Sequence, residues 1–223
     1  MIQTENKKVI IKLTEDLLGT VTKDTDIYRK FVLDKNLKTE KSLDIEKMNE
    51  EIETVEDTGE KGATGFHSDE RGIFIYDYML RGFLKCGCEV AMASGAIDKI
   101  VAYKKWIDLL VFVRPRRLYF GDEFNFKDLQ KPDGGLTRPI RTVTPKGPRV
   151  ALLKSDYVKA GRLISFSIEL IKNNKGLTWE VIEEILYYGT FVGLGQWRGS
   201  GGYGRFEVLS FKQRQSEAAY GQG

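Results

Sequence analysis

The sequence predicts an α+β fold built from two β-α-β units. Residues 162–171, "RLISFSIELI", alternate apolar and polar side chains as a half-buried strand does, and residues 177–189 place apolar side chains at helical spacing. A glycine-rich loop and a last apolar segment follow, so the back half reads strand, helix, loop, strand. The front half reads strand, insertion, helix, strand. Two such units predict a ferredoxin-like (RRM-like) core with long elaborations.

The front unit begins with an apolar, β-branched run inside residues 7–20, which predicts the first strand. Residues 23–63 are polar and charged, with a helical pattern only over 43–53, and we interpret them as an insertion after that strand. This long polar segment separates the first strand from the helix that should follow it in a β-α-β unit.

An extended aromatic segment that becomes helical is predicted for residues 72–93. Three positions of that helix are expected to face inward: Tyr78, Phe83 and Val90. A second helix is expected around residues 95–109. Residues 109–120, "LLVFVRPRRLYF", predict a strand, a break at Pro115 and another strand, because proline cannot donate a ladder hydrogen bond.

The back unit is preceded by residues 121–149, which we interpret as loop-like. The segment 131–150, "KPDGGLTRPIRTVTPKGPRV", holds four prolines and three glycines, and its charge is mostly basic. No acidic residue follows Asp133 until Asp156. This part of the chain is therefore expected to present positive charge to solvent.

An amphipathic helix is predicted over residues 178–188, with Thr178 as its N-cap and Gly189 as its C-terminal stop. Its apolar stripe consists of Val181, Ile182, Ile185 and Leu186. After the glycine-rich loop, "RFEVLSF" predicts the last strand. The tail, residues 212–223, is expected to be disordered.

The composition is that of a globular protein, since 41% of the 223 residues are hydrophobic and 30% are charged. No apolar run of about 18 residues occurs, and the opening "MIQTENKK" lacks a signal region, so we expect a cytoplasmic protein with no membrane partner. Cys86 and Cys88 are too close for a comfortable disulfide, so free thiols are expected. With His67 as the single histidine, a zinc site lacks ligands, and neither a metal nor a cofactor is expected.

The net charge of +3 conceals an asymmetry. Residues 40–60 carry nine acidic and two basic side chains, a net charge of −7, which leaves +10 on the remaining chain. A basic body suits a nucleic-acid binder better than the total charge suggests. The acidic segment has two interpretations, a solvated loop or helix face and a docking surface for another protein.

The glycine-rich stretch "GTFVGLGQWRGSGGYGRFEV", residues 189–208, has seven glycines in its first sixteen residues. Phosphate-binding glycine loops lie between a strand and the start of a helix, whereas here the helix precedes the loop, which argues against nucleotide binding. Two interpretations remain. The loop approaches RNA or single-stranded DNA, with Arg198 and Arg205 on phosphates and Trp197 or Tyr203 stacked on a base, or it is a tight bulged turn whose aromatic side chains belong to the core.

"YYGTFVGLGQWRGSGGYGRFEV" resembles the C-terminal glycine-rich signature of the repeat-associated mysterious protein (RAMP) superfamily, the RNA-binding subunits of CRISPR effector complexes. The family pattern is an amphipathic helix, a GLG-type turn, and a G-[FY]-G-[RK] turn that leads into a final strand. In this sequence these elements are residues 178–188, 193–195 and 202–205.

Two further segments resemble the same family in the same order. "HSDERGIFIYDYMLRGFLK", residues 67–85, is similar to the segment after the first strand, with Arg81 and Gly82 where the family's helix opens. "SDYVKAGRLISFSIEL", residues 155–170, is similar to a strand of the family's backbone subunits. The insertion has no clear counterpart, and the resemblance covers about two thirds of the chain.

The resemblance implies one RAMP-like domain over residues 1–211, with a thumb-like hairpin at about 121–154. It implies a subunit that binds single-stranded nucleic acid, RNA before DNA, and assembles head-to-tail with copies of itself, as in a CRISPR effector backbone with other effector subunits. The chain also resembles small RAMP-like proteins of prophages and other mobile elements. A strand-coating protein outside any CRISPR system is therefore the alternative.

Some members of the superfamily cut RNA with a histidine, and His67 is the only candidate here. It lies in a polar segment that we expect to be exposed, where a surface or RNA-contacting role is the simpler interpretation. Asp24 and Asp26 follow the first strand, as the catalytic aspartate does in target-cutting subunits, but the insertion departs from that pattern. We therefore expect no intrinsic enzymatic activity, with a metal-independent endoribonuclease using His67 as the rival.

The candidate nucleic-acid contacts combine cations that would meet phosphates with one aromatic side chain that would stack on a base. The predicted residues are Arg81, Lys85, Arg114, Arg116, Arg117, Arg138, Arg141, Lys146, Arg149, Arg198, Tyr203 and Arg205. Arg81 and Lys85 would touch phosphates from a helix, and the cations of the hairpin would grip the strand, so salt would weaken the contact.

Overall fold

The computed structural model of the chain describes residues 2–38, 45–60, 62–122, 127–144 and 147–213. Within these ranges the fold is mixed α+β, with two sheets and five α-helices. The helices are α1 (Thr25–Lys38), α2 (Ile45–Glu53), α3 (Asp77–Ala93), α4 (Tyr103–Leu110) and α5 (Trp179–Tyr187). The strands are β1 (Thr4–Leu13), β2 (Leu17–Leu18), β3 (Val21–Thr22), β4 (Ala63–Gly65), β5 (His67–Asp69), β6 (Gly72–Tyr76), β7 (Val111–Arg114), β8 (Arg117–Gly121), β9 (Gly134–Thr144), β10 (Gly147–Val158), β11 (Leu163–Ile171) and β12 (Phe206–Gln213).

The larger sheet is antiparallel and has the order β12-β1-β11-β8-β6-β5, with β7 also paired to β11. Strand β1 lies between β11 and β12, and its Val9 pairs with Phe166. Successive side chains of β1 point to opposite faces of the sheet, because Val9, Ile11 and Leu13 are buried while Ile10 and Lys12 between them are only half-buried. The predicted strands at 7–20 and 162–171 are therefore present as β1 and β11.

Helices α3 and α5 pack together and bury their apolar stripes in the main core, the cluster that also holds the inward side chains of β1 and β11. The helices contribute Leu80, Phe83, Leu84, Cys88, Ile182, Ile185 and Leu186. The ring centroids of Phe83 and Phe206 are 5.0 Å apart, which joins α3 to β12. Of the three inward positions predicted for α3, Phe83 is fully buried, whereas Tyr78 and Val90 are only half-buried.

Helix α5 begins and ends close to the predicted bounds. The Thr178 side chain accepts a hydrogen bond from the Val181 amide at 3.4 Å, as an N-cap does. A short 3-10 turn at Tyr188–Thr190 follows the helix, and it contains Gly189. Helix α4 is shorter than the predicted 95–109, and the cis peptide between Arg114 and Pro115 separates β7 from β8 where the sequence predicts a break.

The smaller sheet has the order β2-β10-β4-β3, with β9 paired along β10. Strands β9 and β10 form a long hairpin, so the prediction that 121–149 is loop-like is wrong over most of that range. The physical reason is that much of the hairpin faces solvent, and none of its residues before Val158 belongs to a described core. Its strands therefore need not alternate apolar and polar side chains, which is the pattern that predicts a strand. Residues 145 and 146 at its turn lie outside the described ranges.

The insertion at 23–63 contains α1, which the sequence did not predict, and α2, which falls within the predicted 43–53. Both helices pack on a small cluster, named here the satellite core, which consists of Val21, Tyr28, Val32, Ile52 and Val55. At the other end of the chain β12 extends through Gln213. The predicted tail therefore begins inside a strand, and the rest of it lies outside the described residues.

Candidate nucleic-acid interface

The glycine-rich loop presses its backbone against the protein itself. A side chain at Gly193 would meet the Tyr203 carbonyl oxygen at 2.5 Å, and one at Gly204 would overlap the Leu194 carbonyl. The Leu194 amide donates to the Gly204 carbonyl at 2.8 Å, and the Gly204 amide donates to the Asp16 carbonyl at 2.8 Å. These glycines shape the loop, whereas Gly199 has open space around its α-carbon.

Arg138 of β9 lies over two aromatic rings of this loop. Its guanidinium carbon is 5.0 Å from the centroid of the Trp197 ring and 4.5 Å from that of Tyr203. Its Nη2 donates to the Tyr203 hydroxyl at 3.0 Å. Within the described ranges no carboxylate pairs with Arg138. We name these three residues the Arg138 cluster; it joins the hairpin to the glycine loop.

Trp197 combines exposure with an unusual backbone. It is 43% exposed and has a φ of 53°, in the left-handed region that non-glycine residues rarely adopt. The sequence left open whether Trp197 stacks on a ligand or packs in the core, and the exposed ring excludes full burial in the core. Backbone strain of this kind concentrates at binding sites.

The remaining hairpin and loop cations are dispersed. Arg141 is exposed, and because it lies three residues after Arg138 in the same strand, it points to the opposite face of the hairpin. Arg198 is exposed, while the Nε atom of Arg205 is buried and has no hydrogen-bond partner among the described residues. Lys146 and the side chain of Arg149 lie outside what the structure describes.

Four other predicted cations line a cleft of about 1130 Å³ between the start of α3, strand β7 and the two helices of the insertion. They are Arg81, Lys85, Arg114 and Arg116. Arg81 pairs with Asp77 at 3.0 Å and Lys85 with Asp108 at 2.6 Å, so both are neutralised within the chain. Arg114 is the most open of the four, with a side chain that is 66% exposed and a long 3.5 Å contact to Glu169.

Arg116 and Arg117 are held by three carboxylates, and we name these five residues the Arg116–Arg117 network. Arg117 donates to Glu50 at 2.5 Å and to Asp69 at 2.7 Å. Arg116 donates to Glu51 at 2.9 Å and also to Glu50. The hydrogen bond from Arg117 holds the pKa of Glu50 below its ordinary value, so the carboxylate is charged at neutral pH.

His67 is 2% exposed, so the expectation that it lies at the surface is wrong. Strand β5 pairs with β6, and this pairing places the imidazole on the ring of Phe74 and within 2.9 Å of the Thr54 hydroxyl. Burial lowers the pKa of His67 to about 3, with smaller effects of Arg117 and Arg116. The imidazole is neutral at pH 7 and closed to a polymeric substrate, a geometry that does not favour its use in RNA cleavage.

The structure thus places four of the predicted cations around the cleft and Arg138 over two aromatic rings of the glycine loop, and it does not gather the remaining described cations at either place. Sequence reasoning missed Glu50, Glu51 and Asp69 as partners of Arg116 and Arg117. The acidic excess of residues 40–60 in an otherwise basic chain could have indicated ion pairs with the insertion. Opposite charges in a sequence do not, however, show which residues form ion pairs in the folded protein.

The described residues contain no group of three or more histidine, cysteine or carboxylate side chains arranged to hold a metal ion. Cys86 and Cys88 are free thiols, and burial raises the pKa of Cys88 to about 11. That thiol is protonated at neutral pH and is a poor nucleophile. No helix among the described residues is long and apolar enough to cross a membrane.

The likeness of this chain to known proteins lies in its structure rather than in its sequence. No protein-family model matches the chain, and no curated protein matches it significantly. Among solved structures, a chain of the "Cryo-EM structure of the Type III-B Cmr-beta bound to cognate target RNA" is similar, at 13% sequence identity and a TM-score of 0.47. The alignment covers 94% of this chain and 60% of that one, so this chain spans about three fifths of the length of its structural neighbour.

Proposed function

We propose that this chain binds single-stranded nucleic acid, RNA in preference to DNA, as a RAMP-type subunit. The observation that carries the proposal is the Arg138 cluster. A guanidinium without a carboxylate partner in the described residues lies over one exposed and one half-buried aromatic ring. Its charge can meet a phosphate, and the indole face of Trp197 can stack on a base.

The surroundings of the cluster support a polymeric ligand over a small one. The space next to the Gly199 α-carbon is open, beside the exposed side chain of Arg198. The neighbouring hairpin has a basic sequence with no acid between Asp133 and Asp156. A groove with exposed aromatic faces and an excess of cations is typical of proteins that follow a single-stranded backbone.

The proposed architecture is ferredoxin-like within one domain over residues 1–211. Strands β12-β1-β11-β7 run antiparallel in that order, and α3 and α5 pack together over their buried face. On this proposal β9 and β10 are the thumb-like hairpin, and the motif "GLGQWRGSGGYG" that resembles the RAMP signature forms the loop beneath it.

We further propose that copies assemble head-to-tail along the strand, as in a CRISPR effector backbone with other effector subunits, or as a mobile-element protein that coats single strands. The hairpin supports such assembly, because Val150 and Leu152 are both 65% exposed on one of its faces. Native mass spectrometry on RNA of 20 and 60 nucleotides tests it. Assembly along the strand requires more copies on the longer RNA, and one copy on both would contradict it.

The binding proposal is tested by titrating the protein with labelled single-stranded RNA, single-stranded DNA and duplex RNA at several salt concentrations. We expect Arg138→Gln to weaken RNA binding by about tenfold, and the slope of log affinity against log salt to fall by about 0.7. Lys99→Gln, which removes an exposed charge elsewhere, is the control. A purified protein that ignores all three ligands at low salt would overturn the proposal.

A further inference from the structure

The Arg116–Arg117 network connects the insertion to the main sheet. Glu50 and Glu51 belong to α2, whereas Arg116 and Arg117 lie at the turn between β7 and β8. Arg117 also forms an ion pair with the carboxylate of Asp69. The acidic helix of the insertion therefore covers two arginines that belong to the body of the protein.

The geometry of these two arginines suits an anionic group that accepts hydrogen bonds through two oxygens. The Arg116 guanidinium lies 4.9 Å from the Tyr76 ring centroid, and that of Arg117 lies 5.2 Å from the Phe74 ring. Stacking holds each guanidinium in place, and its N–H groups point to carboxylates with the geometry that also fits a phosphate. A carboxylate and a phosphate would compete for the same donors.

Helix α2 is attached more weakly than the elements it covers. Its described apolar anchors are Ile52 in the five-residue satellite core and Met48 at the margin of that core. Helix α3, in comparison, buries six residues along its length, four of them in the main core. Segments held by few buried apolar contacts open locally at low free-energy cost while the rest of the fold stays intact.

Helix α2 also forms one wall of the cleft, through Lys47, Met48 and Glu51. The open Arg114 side chain lies on the β7 side of the same cleft. If α2 moves away, the cleft loses the carboxylate of Glu51, and Arg116 becomes available beside Arg114. The opened surface would gain the positive charge of Arg116 next to that of Arg114.

We propose that α2 is an internal competitor of the nucleic acid: its Glu50 and Glu51 occupy Arg116 and Arg117, and a bound strand displaces the helix to reach these arginines. The proposal rests on the proposed function and assigns a regulatory role to the insertion. Binding then has two parts, an open contact at the Arg138 cluster and a covered contact that becomes available when α2 leaves.

The first test compares Glu50→Gln/Glu51→Gln with Glu46→Gln/Glu53→Gln. Both pairs remove two charges from α2, but Glu46 and Glu53 are exposed, and no described ion pair joins either to an arginine. We expect the first variant to bind single-stranded RNA about tenfold more tightly, because two arginines are released for phosphates. The slope of log affinity against log salt should steepen by about 1.4, since each single-strand phosphate contact adds about 0.7. The control pair should gain less and leave the slope unchanged.

Adding Arg116→Gln/Arg117→Gln to the Glu50→Gln/Glu51→Gln variant should abolish the gain. Equal gains in both glutamate pairs would show that only net charge matters, and this would overturn the proposal. A folded Glu50→Gln/Glu51→Gln variant with unchanged affinity and salt slope would also overturn it.

The second test uses the unmodified chain, so it does not depend on how the variants fold. Hydrogen exchange of the backbone amides of Ile45–Glu53 should accelerate when saturating single-stranded RNA is added, while α3 stays protected. Unchanged or slower exchange in α2 would contradict displacement. If RNA does not bind at all, the proposed function fails; if RNA binds and α2 stays in place, only the competitor proposal fails.

Discussion

His67 illustrates at the residue scale how burial decides what a side chain can do. A single histidine in a polar segment suggested a surface position, yet the ring lies between Phe74, Tyr76 and Tyr28. Its Nδ1 is 2.9 Å from the Thr54 hydroxyl, and its Nε2 is 3.3 Å from the Tyr28 hydroxyl. The imidazole is therefore a neutral part of the packing between the sheet and the insertion.

This burial predicts a pH dependence of stability. The pKa of His67 is about 3 in the folded chain against 6.5 for an ordinary histidine, so between these values the unfolded chain binds more protons. The buried neutral imidazole therefore makes its full contribution to the free energy of unfolding above pH 6.5. Between pH 6.5 and the folded pKa this contribution falls by about 1.4 kcal/mol for each pH unit. Urea unfolding should show the stability difference between wild type and His67→Gln shrinking from pH 7 to pH 5. A constant difference would contradict the buried neutral state.

Two glycines of the loop allow backbone strain to be separated from packing. Gly199 and Gly204 have φ values of +69° and +68°, but only Gly204 presses on another part of the chain. Alanine at Gly199 should therefore cost only the left-handed strain, about 1 kcal/mol. Alanine at Gly204 should cost about 2–4 kcal/mol, because it also collides with Leu194 and Leu17. Equal losses in urea unfolding would show that packing of the loop is unimportant.

At the scale of elements, the β9–β10 hairpin differs from every other long strand pair. Neither strand contributes a residue before Val158 to the described cores, and its apolar Val150 and Leu152 are exposed. Its attachment runs through strand pairing to β2 and β4 and through Arg138 on the glycine loop. We therefore expect the hairpin to contribute little to the stability of the rest of the fold.

Shortening the hairpin should therefore affect binding and not stability. Residues 140–151 can be replaced by Asn-Gly, because Pro139 and Leu152 are cross-strand neighbours and a two-residue turn can join them. The thermal midpoint should stay within a few degrees. The deletion removes three cations and no acid, so the salt slope of RNA binding should fall by about 2. A large drop in the thermal midpoint with unchanged RNA binding would show that the hairpin stabilises the fold and does not bind RNA.

The same element shows what sequence patterns can and cannot predict. Strands β1 and β11 and helix α5 were predictable, because each buries one face. The apolar residues of that face recur in the sequence at the spacing of a strand or a helix. The hairpin gives no such period, since much of it faces solvent. The position of His67 depends on β5 pairing with β6, and the Arg116–Arg117 network depends on which charges meet in space. Neither the burial of His67 nor the ion pairs of this network can be predicted from the local periodicity of the sequence.

At the scale of the whole molecule, the described residues form two cores of unequal size. The main core joins the larger sheet to α3 and α5, whereas five residues make up the satellite core under α1 and α2. Hydrophobic stabilisation grows with buried apolar area, so the two parts should differ in local stability.

Native-state hydrogen exchange checks this difference. Amides of α3 and α5 should exchange only through global unfolding and share its free energy. Amides of α2 should exchange through a local opening, with protection lower by about two orders of magnitude or more. Equal protection in α2 and α3 would mean that the insertion and the body unfold as one unit. Measuring the exchange at two denaturant concentrations would separate local from global opening.

The central position of β1 has a consequence for how the chain is made. Its two neighbours come from residues 163–171 and 206–213, so one of its edges stays unpaired until β11 has been synthesised and the other until β12 has. Pairings between such distant segments form slowly, because a long loop must close first. Until then Val9 and Ile11 are exposed on an open strand, the state most prone to aggregate. Synthesis of β12 is therefore the step that commits the polypeptide to its native sheet.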